Sequence, residues 1–171
     1  MNVSENWSEI KRVFTASFKS SFHYAVATVN RNGEPHITPI GSLMLGEPGR
    51  GMYFEEFPTN LTRNLQVNKH ICVLAVNSSK WFWLKSLLLG RFPTPPAVRL
   101  RGTVGETRDA TDAESDRWRR RVRYVRSSKG HALMWARMSR VRDIEFTEVE
   151  PVHIGEMTRD LWESQSRMEH V

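Results

Sequence analysis

Three β-type runs follow one another in this chain: Tyr24-Ala-Val-Ala-Thr-Val-Asn30, His36-Ile-Thr-Pro-Ile-Gly-Ser-Leu-Met44 and Met52-Tyr-Phe-Glu-Glu56. The first two are joined by a segment that contains Asn32-Gly33, a residue pair that takes the positive φ angles of a tight hairpin turn. A longer turn containing glycine and proline, residues 46–51, leads to the third run. This pattern predicts three consecutive strands, of which the first two form a hairpin.

A polar link with helical character, Thr59-Asn-Leu-Thr-Arg-Asn-Leu65, leads from the third run to an apolar one, Ile71-Cys-Val-Leu-Ala-Val76. The apolar run shows no alternation, so we expect both faces of this strand to be covered, as in a barrel. Residues 98–104 alternate strictly and predict a strand with arginines on one face. Residues 143–149 predict a last alternating strand.

Helices flank the predicted strands. Apolar residues at helical spacing predict an amphipathic helix over residues 5–19. Thr111-Asp-Ala-Glu114 is a capping box that starts a helix running to about Arg126. A second short helix is expected around Gly130 to Met138, so the helical region covers about residues 111–138. Residues 78–97 are expected to be irregular, because their proline-rich end opposes both a helix and a central strand. No repeat or linker stands out, so we predict one domain over residues 1–171, mainly β with flanking helices (α+β).

Composition narrows the class of protein. A chain of 171 residues with six Trp and eight Phe can bury a real core, which argues against disorder. The net charge of +6 favours anionic partners, such as phosphorylated ligands, nucleic acid or acidic membrane surfaces. The single cysteine excludes an internal disulfide and suits a reducing compartment. The N-terminus lacks a signal-peptide pattern and no apolar stretch could span a bilayer, so we predict a cytoplasmic protein without a membrane partner.

The order of hairpin, third strand, polar helical link and apolar strand resembles the N-terminal half of the pyridoxamine 5′-phosphate oxidase-like flavoproteins, the FMN-binding split β-barrels. The resemblance covers roughly residues 22–107. It implies a split β-barrel built from about residues 22–107 and 140–157, and a homodimer with the cofactor at the interface. The implied cofactor is FMN, with deazaflavin and haem as alternatives.

In that family the FMN phosphate is bound at the link between the third and fourth strands, where a helix N-terminus offers free N–H groups. The resemblance assigns the polar residues of this link to the phosphate: Thr59, Asn60, Thr62, Arg63 and Asn64. Where the family commonly has a lysine, this chain has Leu61. The positive charge then comes from Arg63, or from Arg99 or Arg101 of the later strand.

The resemblance also places the flavin ring along the second and third strands. A strand backbone can pair with the polar rim of the flavin whatever its side chains, so residue identity is loosely constrained there. The residues so assigned are Thr38, Pro39, Ile40, Ser42, Tyr53, Phe54 and Glu55. Judged by residue type alone, the same segments are also typical of ordinary barrel strands joined by polar loops.

A flavin-dependent oxidoreductase of a small molecule is the implied function, with hydride or electron transfer at the flavin itself. The chain lacks the Arg-x-His with which pyridoxamine phosphate oxidases bind substrate, and Arg159 and Trp162 only partly match their tail. We therefore expect another substrate. The alternative is a non-catalytic carrier of flavin, deazaflavin or haem, in which His36 or His153 could be an axial ligand.

The sequence indicates neither a catalytic residue nor a metal site. There is no Gly-x-Ser-x-Gly motif, and Cys72 lies in an apolar run, where a thiol is a poor nucleophile. No two of the six histidines are within four residues of each other, so none form a helical ligand pair.

A nucleic-acid function is raised by Arg117-Trp-Arg-Arg-Arg-Val-Arg-Tyr-Val-Arg126. Trp118, Val122 and Val125 are expected to pack inward from one face of this helix. Another face would carry a strip of positive charge: Arg119, Arg120, Arg123 and Arg126. Such a strip can bind phosphate backbones, but a solvated face paired with nearby acids is the commoner case. No helix-turn-helix or RNA-binding aromatic motif accompanies it, so nucleic acid is not the expected partner.

The aromatic insertion Trp81-Phe-Trp-Leu-Lys-Ser-Leu-Leu-Leu89 has two interpretations. It could be a lid that covers the flavin and shapes an apolar substrate pocket. Core packing or a subunit interface is the commoner role of such a segment and is favoured here.

Overall fold

The structure is a computed structural model that describes residues 2–56, 59–125, 138–159 and 161. The elements in chain order are α1 (Trp7–Ser21), β1 (Tyr24–Val29), β2 (Pro35–Ile40), β3 (Met44–Leu45), β4 (Arg50–Phe54), α2 (Asn60–Val67), β5 (His70–Val76), α3 (Lys80–Leu89), β6 (Ala97–Asp109), α4 (Asp112–Arg121) and β7 (Arg140–Pro151). Two 3₁₀ turns, Arg123–Val125 and Gly155–Thr158, follow α4 and β7.

The described strands form one antiparallel sheet in the order β2-β1-β5-β6-β7-β4-β3, which confirms the predicted α+β class with mainly β structure. β6 and β7 are the longest pair and carry a register shift at Gly102. A Cβ atom at Gly102 would lie 2.1 Å from the backbone oxygen of Glu145, so only glycine permits this close approach. The buried hydroxyl of Ser42, just after β2, bonds both backbone polar groups of Phe54 at the end of β4. This contact holds the chain leaving β2 against the opposite end of the sheet.

The first hairpin forms as predicted, but its turn differs. Gly33 has a positive φ of 81°, whereas Asn32 does not take a left-handed conformation. The side chain of Asn30 accepts hydrogen bonds from the N–H groups of Asn32 and Glu34, at 2.9 and 3.0 Å. These bonds favour a turn built around Asn30 over the two-residue turn that the Asn-Gly pair suggested.

The core lies between the inner face of the sheet and helices α1 and α2. Helix α1 spans Trp7–Ser21, slightly later than the predicted 5–19, and buries one face that includes Ile10, Val13 and Phe14. Strand β5 buries alternate residues and leaves Cys72 half-buried, so the expectation that both of its faces are covered was wrong. Burial still raises the pKa of the Cys72 thiol, although two nearby arginines act in the opposite direction.

Residues 78–97 contain the helix α3, which corrects the expectation of irregular structure. The Ser79 hydroxyl accepts a hydrogen bond from the Phe82 N–H, and Gly90 ends the helix in the left-handed conformation. The prolines that suggested irregularity begin only at Pro93, beyond the C-cap. Of the insertion, Phe82 and Trp83 contact the ring of Phe92.

Helix α4 begins with the predicted capping box, in which Thr111 and Glu114 each bond the backbone of the other. Trp118 and Val122 are buried, as predicted for the inward face. The α-helix ends at Arg121, earlier than the predicted Arg126. Residues 126–137, including Arg126 and most of the second predicted helix, lie outside the described part of the chain. The side chain of Val125 is likewise not described.

Candidate cofactor site

A groove of about 660 Å³ lies between α2 and the hairpin of β1 and β2. From α2 it is lined by three of the residues predicted to bind phosphate: Asn60, Arg63 and Asn64. From the hairpin it is lined by Arg31 and His36, among others. The groove therefore gathers amide, guanidinium and imidazole groups on one surface, which suits an anionic ligand, although the Glu34 carboxylate also lines it and accepts a hydrogen bond from the Asn30 side chain at 2.7 Å.

Helix α2 presents these polar groups because its apolar residues face the core. Leu61 and Leu65, four positions apart, are 2% and 0% exposed. Arg63 is exposed on the opposite side, and its guanidinium donates a hydrogen bond to the Asn60 side-chain oxygen. Leu61 thus occupies a core position, which explains why this chain carries no cation there.

Two other predicted residues of this link differ in their surroundings. Thr59 is exposed and extended before the helix, and its side chain makes no capping hydrogen bond. Asn64 is buried and donates a hydrogen bond of 3.0 Å to the hydroxyl of Thr28. Asn64 therefore fixes α2 to β1 as well as lining the groove.

On β2, Thr38 and Ile40 belong to the inner face and are half-buried, whereas Pro39 is exposed on the outer face. The Thr38 hydroxyl is inaccessible to solvent and has no hydrogen-bond partner among the described residues. A buried polar group left in this state costs roughly 1–3 kcal/mol, so a missing polar partner is expected nearby. His36, two residues earlier on the same face of the strand, lines the groove.

The third-strand residues have partners inside the protein. The Phe54 ring packs against Trp118, with ring centroids 5.9 Å apart. The Tyr53 hydroxyl donates to Glu55 at 2.8 Å. The Glu55 carboxylate also accepts hydrogen bonds from three further side chains: Thr62, Thr107 and Arg142.

The Glu55–Arg142 ion pair is the most deeply buried charge pair among the described residues. The two side chains are 5% and 3% exposed, and Nη2 of Arg142 lies 2.7 Å from Oε2 of Glu55. Burial acts to raise the pKa of Glu55, but hydrogen bonds from Arg142, Thr107 and Tyr53 outweigh it and lower the pKa below its ordinary value. Burial, together with this carboxylate, raises the pKa of Tyr53. Glu55 therefore stays ionised and joins β4, α2, β6 and β7.

Arg99 and Arg101 lie on the outer face of β6. Arg99 pairs with Glu150 at 2.6 Å, and Arg101 pairs with both Glu148 and Glu150. Their strand neighbours on the inner face share the core with the leucines of α2. The structure therefore does not bring these arginines to the groove beside α2.

Sequence reasoning missed Arg31 as a groove residue, and it missed Arg142 and Thr107 as partners of Glu55. The proximity of Arg31 to α2 depends on how the hairpin packs, which no local motif signals. Arg142 and Thr107 are 87 and 52 positions from Glu55 in sequence, so only the strand order brings them together.

The described residues include no group of three or more His, Cys, Asp or Glu side chains placed to hold a metal ion. None of the helices in the described ranges is both long enough and apolar enough to cross a membrane.

A sequence profile of the family described as pyridoxamine 5′-phosphate oxidase matches residues 11–156. No curated protein matches the chain. Among solved structures, an FMN-binding protein from Syntrophomonas wolfei subsp. wolfei is 14% identical, with 88% of this chain and 94% of that chain covered and a TM-score of 0.52.

HupZ from Group A Streptococcus is 17% identical, with 85% and 98% covered and a TM-score of 0.52. An F420 reductase is 11% identical, with 80% and 95% covered and a TM-score of 0.51. At these identities the structural likeness shows the fold, a split β-barrel, and the profile match extends over most of the sequence. The chain therefore belongs to the pyridoxamine 5′-phosphate oxidase family.

Proposed function

We propose that this protein binds FMN with its phosphate in the groove beside α2, and that it is a flavin-dependent oxidoreductase of a small molecule. The observation that carries the proposal is the groove itself. It brings Asn60, Arg63 and Asn64 together with Arg31 and His36, in a chain whose family match includes all five residues.

The residues present fit a phosphorylated flavin. Arg63 and Asn60 would hold the phosphate, because charge-assisted hydrogen bonds from a guanidinium are the stronger kind. The bound flavin would supply the hydride or electron transfer, while the protein binds and orients it. Glu55 would support the site through its buried ion pair rather than by contact with the ligand.

The structural neighbours support a flavin-type cofactor but do not distinguish FMN from deazaflavin. One similar structure is an FMN-binding protein, and another is an F420 reductase, which favours deazaflavin as the first alternative. If the cofactor were haem, His36 would be the candidate axial ligand in the groove, whereas His153 is exposed.

A non-catalytic carrier is the alternative to an enzyme. Bleaching of the bound flavin by NADH or NADPH under anaerobic conditions would favour the enzyme.

The FMN site is tested by Arg63→Gln. We expect this change to weaken FMN binding about tenfold or more, because one charge-assisted hydrogen bond to the phosphate is lost. Riboflavin has no phosphate, so its affinity should not change. Both dissociation constants are measured by quenching of flavin fluorescence on the purified protein.

The matched control is Arg91→Gln, which removes an exposed arginine outside the groove. It should leave both affinities unchanged. Equal loss of FMN and riboflavin binding in Arg63→Gln would contradict a phosphate contact at Arg63. Absence of binding by the unaltered protein would refute the FMN function as a whole.

We also propose that the protein is a homodimer and that α3 lies at an interface between the two copies. The helix exposes five large apolar side chains: Trp81, Leu84, Leu87, Leu88 and Leu89. Trp81 and Leu88 are 78% and 80% exposed, so the described core does not cover them. Contiguous exposed apolar residues of this kind mark interaction surfaces.

The double variant Trp81→Ser/Leu88→Ser is expected to weaken self-association about a hundredfold or more. Burial of each large apolar side chain contributes roughly 1.5–3 kcal/mol. Light scattering coupled to gel filtration measures the mass over a range of concentrations. The control Val67→Ser alters a half-exposed apolar residue of α2. A dimer of unchanged stability in the double variant would place the interface elsewhere.

A further inference from the structure

A second groove, of about 690 Å³, lies between α1 and α4 and is lined by positive charge over an aromatic floor. Its cations come from both helices: Lys11, Lys19, Arg117, Arg120 and Arg121. No acidic side chain lines it in the described part of the chain. We name it the cationic–aromatic groove. It shares no lining residue with the groove beside α2, so an inference from it does not rest on the flavin proposal.

The charge of Arg121 is held without a carboxylate among the described residues. Its guanidinium donates to the Leu43 carbonyl at 2.6 Å and to the Tyr24 hydroxyl at 2.7 Å. The same group lies 3.6 Å from the centre of the Phe18 ring. Burial lowers the pKa of Arg121, the direction expected for a desolvated cation. Arg117 likewise donates to a neutral oxygen, the carbonyl of Leu45.

Arg117 and Arg121 differ from the exposed arginines that the sequence predicts for this helix. They turn toward the sheet, whereas Arg119 is exposed and pairs with Asp116 at 2.7 Å. Of the predicted strip, Arg119, Arg120 and Arg123 are exposed. Only Arg120 of these three lines the cationic–aromatic groove. Part of the positive charge of this segment therefore lies in a concave site, while Arg119 and Arg123 remain on the surface outside it.

The aromatic side of the groove includes Phe22, the residue that ends α1. Phe22 has a φ of 61° and is the only described residue other than glycine with a positive φ. Phe22 is the C-cap of α1, where a left-handed residue is a common helix ending, and its N–H donates a hydrogen bond of 2.9 Å to the Phe18 carbonyl. The Phe22 ring is 66% exposed, and it meets the edge of the Phe18 ring at 5.8 Å.

Tyr124 forms the opposite rim of the groove and is 82% exposed. A hydrogen bond from Arg123 lowers the pKa of Tyr124, and the charge of Lys19 acts in the same direction. Lys19 of α1 and Tyr124 line the same groove. An aromatic ring entering between these side chains would contact both aromatic surface and positive charge.

We propose that the cationic–aromatic groove binds an anionic aromatic small molecule. Its carboxylate, sulfonate or phosphate would pair with Arg120 and Lys19, and its ring would lie against Phe18 and Phe22. Because no acidic side chain among the described residues lines the groove, an anion would compensate its positive charge, and the exposed Phe22 ring provides a surface for stacking. A neutral ligand of the same shape would gain only the apolar contacts.

The test titrates the full chain with 8-anilinonaphthalene-1-sulfonate and, separately, with its uncharged analogue N-phenyl-1-naphthylamine. We expect the sulfonate to bind at least tenfold more tightly. The double variant Lys19→Gln/Arg120→Gln should lose at least tenfold in affinity for the sulfonate and leave the affinity for the neutral analogue unchanged. Both substituted side chains are exposed, so the variant should keep the unfolding midpoint of the parent protein.

The matched control Lys85→Gln/Arg119→Gln removes the same two charge types outside the groove. It should bind both probes as the parent protein does. The proposal is overturned if the two probes bind equally, if the control loses as much affinity as the groove variant, or if Arg63→Gln abolishes sulfonate binding while Lys19→Gln/Arg120→Gln does not. The last result would place the anion in the groove beside α2.

Discussion

Replacing Arg142 with methionine is expected to lower the free energy of unfolding by about 3–5 kcal/mol. The variant keeps the Glu55 carboxylate, which is only 5% exposed, but removes the cation that compensates it. Denaturant unfolding at pH 7 measures the effect. The matched control Arg119→Met removes an exposed arginine paired with Asp116 and should change stability by less than about 1 kcal/mol.

Two further measurements separate the ion pair from simple loss of packing. The double variant Glu55→Gln/Arg142→Met should recover part of the loss, because no buried charge remains unpaired. A double variant less stable than Arg142→Met would contradict this explanation. So would an Arg142→Met effect below about 1 kcal/mol.

The Glu55–Arg142 ion pair also predicts that the free energy of unfolding depends on pH. The folded-state pKa of Glu55 lies below its ordinary value of 4.5, so its contribution to stability is present above pH 4.5 and is lost as the pH falls through the lower folded-state pKa. Glu114, whose pKa Arg108 lowers to about 2, adds a loss in the same direction. The Arg142→Met variant leaves the Glu55 carboxylate buried without a compensating cation, so the pKa of Glu55 is higher than in the parent protein. The stability difference between parent and variant should therefore shrink below pH 4.5.

Replacing Leu61 with lysine is expected to lower the free energy of unfolding by about 3 kcal/mol or more and to bring no gain in FMN affinity. Leu61 is 2% exposed in the core, so the change removes apolar packing and buries an unpaired charge. Leu61→Met, which keeps volume and polarity, should cost less than about 1.5 kcal/mol.

Position 61 carries a leucine in this chain, where the family commonly has a lysine. If Leu61→Lys folds with unchanged stability and binds FMN more tightly, position 61 faces the phosphate and the assignment of the charge to Arg63 is wrong. Unfolding and FMN titration on the same preparation distinguish the two outcomes.

Features encoded within a few neighbouring residues could be read from the sequence. The strand order at the start of the chain led to the correct fold and family, which the profile match over residues 11–156 confirms. The capping box at Thr111 and the inward face of Trp118 and Val122 are present. The polar face of α2 follows from leucines four positions apart. Helix α3 was missed because its apolar residues have no helical periodicity to reveal it.

Partners distant in sequence depended on strand order and register, which composition and spacing do not specify. Glu55 was assigned to the cofactor from its strand, yet its carboxylate is occupied by Arg142, 87 positions later. Arg99 was offered as a phosphate ligand, but alternation along β6 places it on the face of the sheet away from α2. Local periodicity and capping chemistry thus determined the elements and the donors on α2. Packing of the hairpin, the sheet and α4 decided which of those donors share a groove, because it alone brings groups distant in sequence within hydrogen-bonding range.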